Sequence, residues 1–444
     1  MIEFVNGLFL RFGITEFRIN KEHMKQISWL GWGQFASLFL SLISIKLTTA
    51  IGTAEYGSFI LATSIGGLIS LSFFGPLEQG FIRYYFEYSG SEEERSAYLA
   101  SILRMLVISA AVLVLSAAAV ISVAVLKYDQ SLLFWGSAGI LIIISSLANP
   151  FNGLLNAMKL RKQISIIQTL EKLSIVLLLL AAGAVMVMDA SMVMICVLSA
   201  TGVFLAVRIF FFRRQMSILP PDEVTVRIRK ESIKKIAMYS LPFIIWGWLS
   251  WFQFNGERWV IKSMVSTSEA GKYGLAASLV NNSIVLVYGV FIQFILPFIY
   301  GKFSHADRDE KLKGYSVIKI ASVLTAVLFA VFALFLFFAG ETVVHFISSK
   351  DFVISSWFFF ILAIGIGFFY IGQTLAIVGM ALQKPEAYIF PKIISAVVSL
   401  AGYIAGCYWF GINGIAYAIC FANAFYLVSV YLVNRTLKKA LYAS

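Results

Sequence analysis

Twelve apolar runs, each long enough to cross a lipid bilayer as a helix, divide this sequence and restrict what the chain can fold into. Hydrophobic residues fill 60% of its 444 positions and charged residues only 13%, whereas soluble domains average about half and about a quarter. The sequence therefore predicts an integral membrane protein without a large soluble domain. The predicted spans are 27–49, 57–79, 98–126, 132–157, 170–188, 192–212, 236–261, 273–300, 315–339, 352–380, 387–410 and 412–433.

The runs are continuous rather than alternating in polarity, and this separates spanning helices from the strands of a membrane barrel. Backbone groups in lipid must be satisfied within the protein, and a helix satisfies them within one segment. We expect an all-α polytopic membrane protein with about 12 transmembrane helices.

Basic residues in the connections predict the orientation of these spans. With a cytoplasmic amino terminus, the connections place 24 Lys and Arg on the cytoplasmic side and four on the opposite side, as the positive-inside rule requires. Residues 1–26 predict a cytoplasmic segment without a signal peptide, and residues 434–444 predict a cytoplasmic tail. The net charge of +12 is therefore explained by topology and an anionic ligand, and nucleic acid is not expected as a partner.

The chain is predicted to contain two six-helix lobes. The basic connection 213–235 contains Pro220 and Pro221 and separates six predicted spans from six others. We therefore expect a cytoplasmic linker at 213–235 between lobes at 27–212 and 236–433.

The two halves carry a similar segment. At an offset of 214 positions, residues 53–65 match residues 267–279 at six of thirteen positions. Because each half has an even number of spans, a duplication gives two parallel lobes related by an axis along the membrane normal. Two such lobes around a central cavity are typical of a transporter that works by alternating access.

Two segments resemble polysaccharide-export flippases. Residues 45–85 show a basic residue, a Gly-x-x-x-[YF]-G turn, a Gly near the end of the second helix and then an Arg, and residues 256–279 show an acidic-Arg pair followed by Gly-x-Tyr. These positions are Lys46, Gly52, Tyr56, Gly57, Gly75, Arg83, Glu257, Arg258, Gly271 and Tyr273. The chain thus resembles the multidrug/oligosaccharidyl-lipid/polysaccharide (MOP) exporter superfamily, and within it the Wzx-type O-antigen flippases.

The resemblance implies a function and partners. Such proteins move undecaprenyl-pyrophosphate-linked oligosaccharides from the cytoplasmic to the outer leaflet of the bacterial inner membrane, for O-antigen or other surface polysaccharide. It implies a transporter coupled to H⁺ or Na⁺, surrounded by membrane lipids and working beside polysaccharide polymerase and chain-length proteins. It implies no cofactor, no metal and no enzymatic reaction.

Five basic residues within or at the edge of predicted spans are candidates for binding the pyrophosphate, because an anion in a low-dielectric cavity requires Arg or Lys. They are Lys46, Arg104, Lys172, Arg258 and Lys392. Basic side chains near a span end can instead snorkel to the interface, and the two that follow a Glu can form a local ion pair with it. Arg208 and Lys319 are predicted to set topology, since both lie close to predicted cytoplasmic ends.

Three carboxylates at span edges are candidates for ion coupling, because desolvation favours the protonated acid. They are Glu78, Glu171 and Glu257. Glu171 and Glu257 each precede a basic residue that can pair with them. Glu78 has no adjacent base and is the preferred proton or cation site.

Polar and aromatic residues within spans are candidates for contacts with sugars. Asn281 and Asn282 can bind hydroxyl groups or join helices, and Trp246 and Trp251 can stack on sugar rings or pack in the lobe. The Cys and His residues show no metal-binding spacing.

Other classes remain open at this point. A MATE-like drug/cation antiporter of the same superfamily is the nearest alternative, but it requires an acidic rather than a basic cavity. A polytopic glycan polymerase or ligase is less consistent with the short outer connections. The connection after the second span lacks the Gly-rich motif of the major facilitator class.

Overall fold

The structure is a computed structural model, and it describes residues 21–88, 90–128, 131–216, 222–304, 308–382 and 384–443. Every regular element in these residues is helical, which confirms the predicted all-α class. Of the predicted segment 1–26, residues 1–20 lie outside the described residues. The α-helices are α1 Lys21–Thr49, α2 Thr53–Ile69, α3 Gly75–Tyr85, α4 Glu92–Tyr128, α5 Leu132–Ala157, α6 Arg161–Val185, α7 Ala190–Arg213, α8 Asp222–Met264, α9 Thr267–Val280, α10 Leu286–Ser304, α11 Arg308–Ile347, α12 Ser356–Ala381, α13 Ile389–Phe410 and α14 Ile412–Ala443.

Within the described residues, nine helical segments are long and apolar enough to cross a membrane. They are Thr53–Tyr85, Glu92–Ala119, Leu132–Ala157, Arg161–Val185, Ala190–Arg213, Arg308–Ile347, Ser356–Ala381, Pro385–Phe410 and Ile412–Lys439. The protein is therefore a multi-pass membrane protein. The other three predicted spans fall on α1, on α8 and on α9 with α10.

Helix ends differ from the predicted span limits where polar residues extend or start a helix. Helix α6 begins at Arg161, well before the predicted limit at 170, because helices continue beyond the apolar core. Helix α12 begins at Ser356, after the predicted limit at 352, since the Ser355 side chain caps it by accepting a hydrogen bond from the Phe358 amide at 3.2 Å. Helix α8 extends through part of the predicted linker.

The chain forms two compact units. One, the N-terminal unit, contains Phe35–Asn255, and the other, the C-terminal unit, contains Gly256–Ser444 and the described residues up to Gln34. Helices α1 and α8 therefore both pass from one unit into the other, and they hold the same place in the two predicted halves. The predicted lobe boundaries themselves stay a prediction.

The N-terminal unit has a core of large aromatic and aliphatic side chains from α3, α4, α5, α6, α7 and α8. Phe81 and Tyr98 are fully buried in it, and the Tyr98 hydroxyl donates to the Phe81 carbonyl oxygen at 2.9 Å. Val107 and Leu115 on α4 are exposed, as expected for side chains that face lipid.

The C-terminal unit includes a tightly packed helical hairpin. Helices α13 and α14 approach so closely at Gly406 and Gly414 that a Cβ on Gly414 would lie 1.8 Å from the Gly406 carbonyl oxygen. Small residues allow such backbone contact between membrane helices.

Helices that correspond in the two halves have similar backbone features. Helices α2 and α9 begin at Thr53 and Thr267, which are 214 positions apart, the offset of the sequence match. Each is followed by a π-helical turn, at Ser70–Phe74 and at Asn281–Val285. These shared features support the predicted duplication.

Candidate functional site

A buried arginine joins three helices of the N-terminal unit. Arg208 on α7 has a relative exposure of 2%. Its Nη2 donates to Glu171 Oε2 on α6 at 2.6 Å, and its Nε donates to Asn152 Oδ1 on α5 at 2.8 Å. Its Nη1 is buried without a hydrogen-bond partner. A charge in this position requires its counter-ion, because burying an unpaired ion costs several kcal/mol.

This arrangement changes the interpretation of two residues. The sequence predicts that Arg208 sets topology, but its side chain is buried in the unit rather than extended to an interface. The basic neighbour Lys172 is half-buried, and Glu171 pairs with Arg208 instead. Consecutive residues on a helix point in different directions, about 100° apart, so a partner on another helix is better placed.

Glu78 lies against the same helix α5. Its Oε1 would be 2.1 Å from a Cβ placed on Gly153, and its Cδ and Cγ would be 2.8 Å from that atom. The carboxylate therefore occupies the space that any side chain at this position would need. Gly153 follows Asn152, so α5 lies against Glu78 at one residue and, at the residue before it, binds Arg208, the partner of Glu171.

A second acid lies inside the C-terminal unit. Glu257 is 2% exposed, and its Oε1 accepts a hydrogen bond from the Tyr273 hydroxyl at 3.2 Å. Arg258 Nε is 3.9 Å from the same oxygen, which is an ion pair beyond hydrogen-bond distance. Both Glu257 Oε2 and Arg258 Nε are buried without hydrogen-bond partners. The neighbouring pair is thus confirmed as a contact but leaves polar atoms unsatisfied.

Lys392 lies inside the C-terminal unit rather than at an interface. Its side chain is 1% exposed, and Nζ lies 4.9 Å from the centre of the Phe369 ring and 6.0 Å from that of Tyr426. Aromatic faces attract a cation and partly replace its hydration. Gln373 donates to the Tyr426 hydroxyl at 3.1 Å and helps to hold that ring in place.

Four predicted site residues are exposed within the described part of the chain. Lys46 lies in the last turn of α1 and Arg104 on α4. Asn281 and Asn282 begin the π-helical turn between α9 and α10. π-Helical turns occur often at functional sites, because they redirect side chains from the regular helical positions.

The candidate tryptophan Trp251 makes a hydrogen bond within the N-terminal unit. Trp251 is buried, and its indole N–H donates to the Ser64 carbonyl oxygen at 2.7 Å. This contact favours packing over sugar stacking for Trp251. Trp246 is half-buried on the same helix.

The structure therefore presents two groups of candidate residues within predicted spans. One surrounds Arg208 in the N-terminal unit, and the other surrounds Glu257 in the C-terminal unit. The residues that sequence reasoning missed are Asn152, Gly153, Phe369 and Tyr426, together with Arg208 as a buried group. Polar residues within predicted spans could have indicated Asn152 and Arg208. Among the described residues, no group of three or more His, Cys, Asp or Glu side chains could hold a metal ion.

The sequence model of one protein family, described as "Polysaccharide biosynthesis protein", matches residues 23–300, which is more than half of the chain. No curated protein matches the sequence.

Solved structures of membrane transporters are similar to this chain. A multidrug resistance MATE family transporter of the MOP superfamily, in an inward-facing conformation, aligns over 92% of this chain and 96% of its own, with a TM-score of 0.74 and 12% identity. The lipid II flippase MurJ, in an inward closed conformation, aligns over 92% and 87%, with a TM-score of 0.66 and 14% identity. The Vibrio cholerae MATE transporter VcmN in its bent form aligns over 95% and 98%, with a TM-score of 0.62 and 14% identity. At these identities the similarity shows a shared fold.

Proposed function

The chain belongs to the polysaccharide biosynthesis protein family, and from this premise we propose that it is a flippase for lipid-linked oligosaccharides. Its substrate is an undecaprenyl-pyrophosphate-linked glycan repeat unit, which it moves by alternating access across the bacterial inner membrane. The fold shared with MATE transporters and with a lipid II flippase supports this proposal. The product supplies O-antigen or another surface polysaccharide, beside a polymerase and chain-length proteins.

The observation that carries the proposal is Arg258. It is a basic residue inside a predicted span, it is 14% exposed, and its Nε has no hydrogen-bond partner. A guanidinium can bind two phosphate oxygens with parallel hydrogen bonds, so a pyrophosphate would satisfy donors that Glu257 leaves free. Exposed Lys46 and Arg104 can add attraction for the same anion. The burial of Lys392 favours a role within the C-terminal unit over direct substrate contact.

The surroundings of two carboxylates support the proposal that transport is coupled to the movement of an ion. Glu257 Oε2 is buried and has no hydrogen-bond partner, and Glu78 lies against bare backbone at Gly153. A carboxylate in such a position is stabilised by a proton or by a bound Na⁺. We therefore propose Glu257 and Glu78 as the coupling sites, with Glu171 committed to Arg208.

The test is a flipping assay on the purified protein in proteoliposomes. The probe is undecaprenyl pyrophosphate that carries one fluorescent N-acetylhexosamine, and dithionite quenching reports how much probe remains in the outer leaflet. We expect flipping at least tenfold above that of protein-free vesicles. In cells, deletion should leave lipid-linked repeat units accumulating on the cytoplasmic side while their assembly continues.

Two alternatives give different results in these experiments. A MATE-like drug/cation antiporter would move a cationic dye and leave the lipid probe in place. A polymerase or ligase would form glycosidic bonds from substrate that is already in the outer leaflet. The candidate side chains, mostly cationic, favour the anionic lipid over a cationic drug.

A further inference from the structure

The first part of helix α8 packs along the N-terminal unit over a long distance. Ile228, Ser232, Ile236 and Ser240 recur every four residues and are all buried. This spacing places them on one face of the helix. The face extends from the start of α8 into the predicted span at 236–261.

Small residues allow this face to lie close to α3. A Cβ on Gly80 would lie 2.9 Å from Ser240 Oγ and 3.0 Å from Ile236 Cγ2. The Ser240 hydroxyl donates to the Pro76 carbonyl oxygen at 2.8 Å. Beyond the hydroxyl contact this face is a surface of small and aliphatic groups, which can separate without leaving a buried charge.

Ion pairs hold the exposed start of the same helix. Lys235 Nζ binds Glu231 Oε1 at 2.7 Å and also binds Glu87, which follows α3. Arg227 Nη2 lies 3.6 Å from Glu94 Oε1 on α4. These residues lie on the predicted cytoplasmic side, outside the predicted spans.

The aromatic ring that Lys235 contacts in the N-terminal unit is held in place by packing and by a hydrogen bond of its neighbour. Lys235 Nζ lies 5.5 Å from the centre of the Tyr88 ring, and that ring stacks on Tyr98 with centroids 4.9 Å apart. Tyr98 is fully buried and bound to the Phe81 carbonyl oxygen. The Tyr88 side of this contact is therefore fixed, while the charged side chains that α8 contributes to it, Arg227, Glu231 and Lys235, are each at least one-third exposed.

We propose that Glu87, Glu94, Arg227, Glu231 and Lys235 form a releasable latch, which fastens the start of α8 to the N-terminal unit and opens once in each transport cycle. Exposed ion pairs contribute about 0–1 kcal/mol each and are screened by salt, so the latch holds without being permanent. Since α8 continues into the C-terminal unit after Asn255, release of its start would let the helix move with that unit.

Disulfide locking tests the latch. The variant Glu87→Cys with Lys235→Cys joins the two sides under oxidation, and the matched control Glu55→Cys with Ala190→Cys joins α2 to α7 in the same unit, where Glu55 Oε2 accepts from the Ala190 amide at 3.0 Å. We expect oxidation to lower probe flipping at least tenfold in the first variant, with full recovery in reductant, and to leave the control unchanged. Equal flipping by the oxidised and reduced latch variant would overturn the proposal.

A second readout does not depend on transport. Nitroxide labels on Glu93→Cys of α4 and Lys234→Cys of α8, two exposed positions that leave the latch residues intact, are placed in a protein whose native Cys196, Cys407 and Cys420 are replaced by Ser. Measured by pulsed electron spin resonance in proteoliposomes, they should show a short and a long distance, with the ratio changed by the lipid probe. A single short distance with and without probe would also overturn the latch. The inference rests on the proposed function, but the two fail separately: absence of flipping by the wild-type protein refutes the function, whereas the label distances decide the latch.

Discussion

Arg208 and Glu171 lie 37 positions apart in the sequence and form the most buried ion pair among the described residues, with 2.6 Å between Nη2 and Oε2. Removing one partner leaves an isolated charge among three helices. Arg208→Ala should therefore destabilise the protein by about 3–5 kcal/mol, seen as a lower melting temperature of the protein in detergent. The double change with Glu171→Ala should recover much of this loss. Arg213→Ala, on the exposed end of the same helix, is the control and should have no effect.

Arg258 should be required for transport and dispensable for folding, because its contact with Glu257 is longer than a hydrogen bond and Glu257, as a proposed coupling site, can be neutralised by a proton or Na⁺ when Arg258 is removed. Arg258→Ala should abolish surface glycan at normal protein abundance, and Arg258→Lys should recover only part of it, because an ammonium cannot bind two phosphate oxygens as a planar fork does. Glu257→Gln should do less harm. Membrane protein level and surface polysaccharide are measured together, with Lys262→Ala, on an exposed residue one turn later, as the control.

The opposite outcome would assign Arg258 a structural role. In that case Arg258→Ala lowers protein abundance, and the double change with Glu257→Ala restores both abundance and export.

Gly153→Ala should act on Glu78 without harming the fold. The new Cβ would overlap the Glu78 carboxylate, which lies at the end of a flexible chain and can move away. Alanine is also favoured over glycine within helices by about 0.5–1 kcal/mol. We expect normal abundance and an altered pH dependence of flipping, similar to that of Glu78→Gln. Gly136→Ala on the same helix meets no atom within 4 Å and is the control; identical pH profiles for the two alanine variants would argue against a role for Glu78.

Orientation can be tested by reporter fusions. The 24-to-4 distribution of basic residues predicts a cytoplasmic signal at Asp222 and at Lys439. A fusion at Lys350, in the connection after α11, should give a periplasmic signal. A periplasmic signal at either of the first two positions would contradict the topology.

Acid should weaken the latch. The pKa of Glu231 is lowered, chiefly by the hydrogen bond from Lys235 and further by the charges of Lys235 and Arg227. A lowered native pKa means that the carboxylate stabilises the contact above its unfolded pKa of about 4.3, and that this stabilisation is lost as pH falls through the lowered value. In the protein labelled at positions 93 and 234, which keeps Lys235, the population with the long label distance should therefore grow when pH falls below about 4, and should grow less when Glu231→Gln is added.

The membrane class, the helices and the repeat could be predicted from sequence because hydropathy and basic residues act locally along the chain. The partner of Glu171 could not be predicted, since the nearest base in sequence was Lys172 and the partner in space is on another helix. Lys392 shows the same limit, because distance from a span end does not reveal whether a side chain extends to the interface or enters the aromatic interior.

The π-helical turn at Ser70–Phe74 sets the direction in which the Glu78 side chain points. Such a turn holds one residue more than an α-helical turn, and each residue rotates the following chain by about 100°. Beyond the turn each residue therefore takes the place that the residue before it would hold in a regular helix, and Glu78 faces Gly153 where Leu77 would otherwise lie. Converting the turn to a regular α-helix without a deletion would turn the acid away from Gly153, whereas removing one residue from the turn would keep the acid there. The second half also has a π-helical turn, at Asn281–Val285.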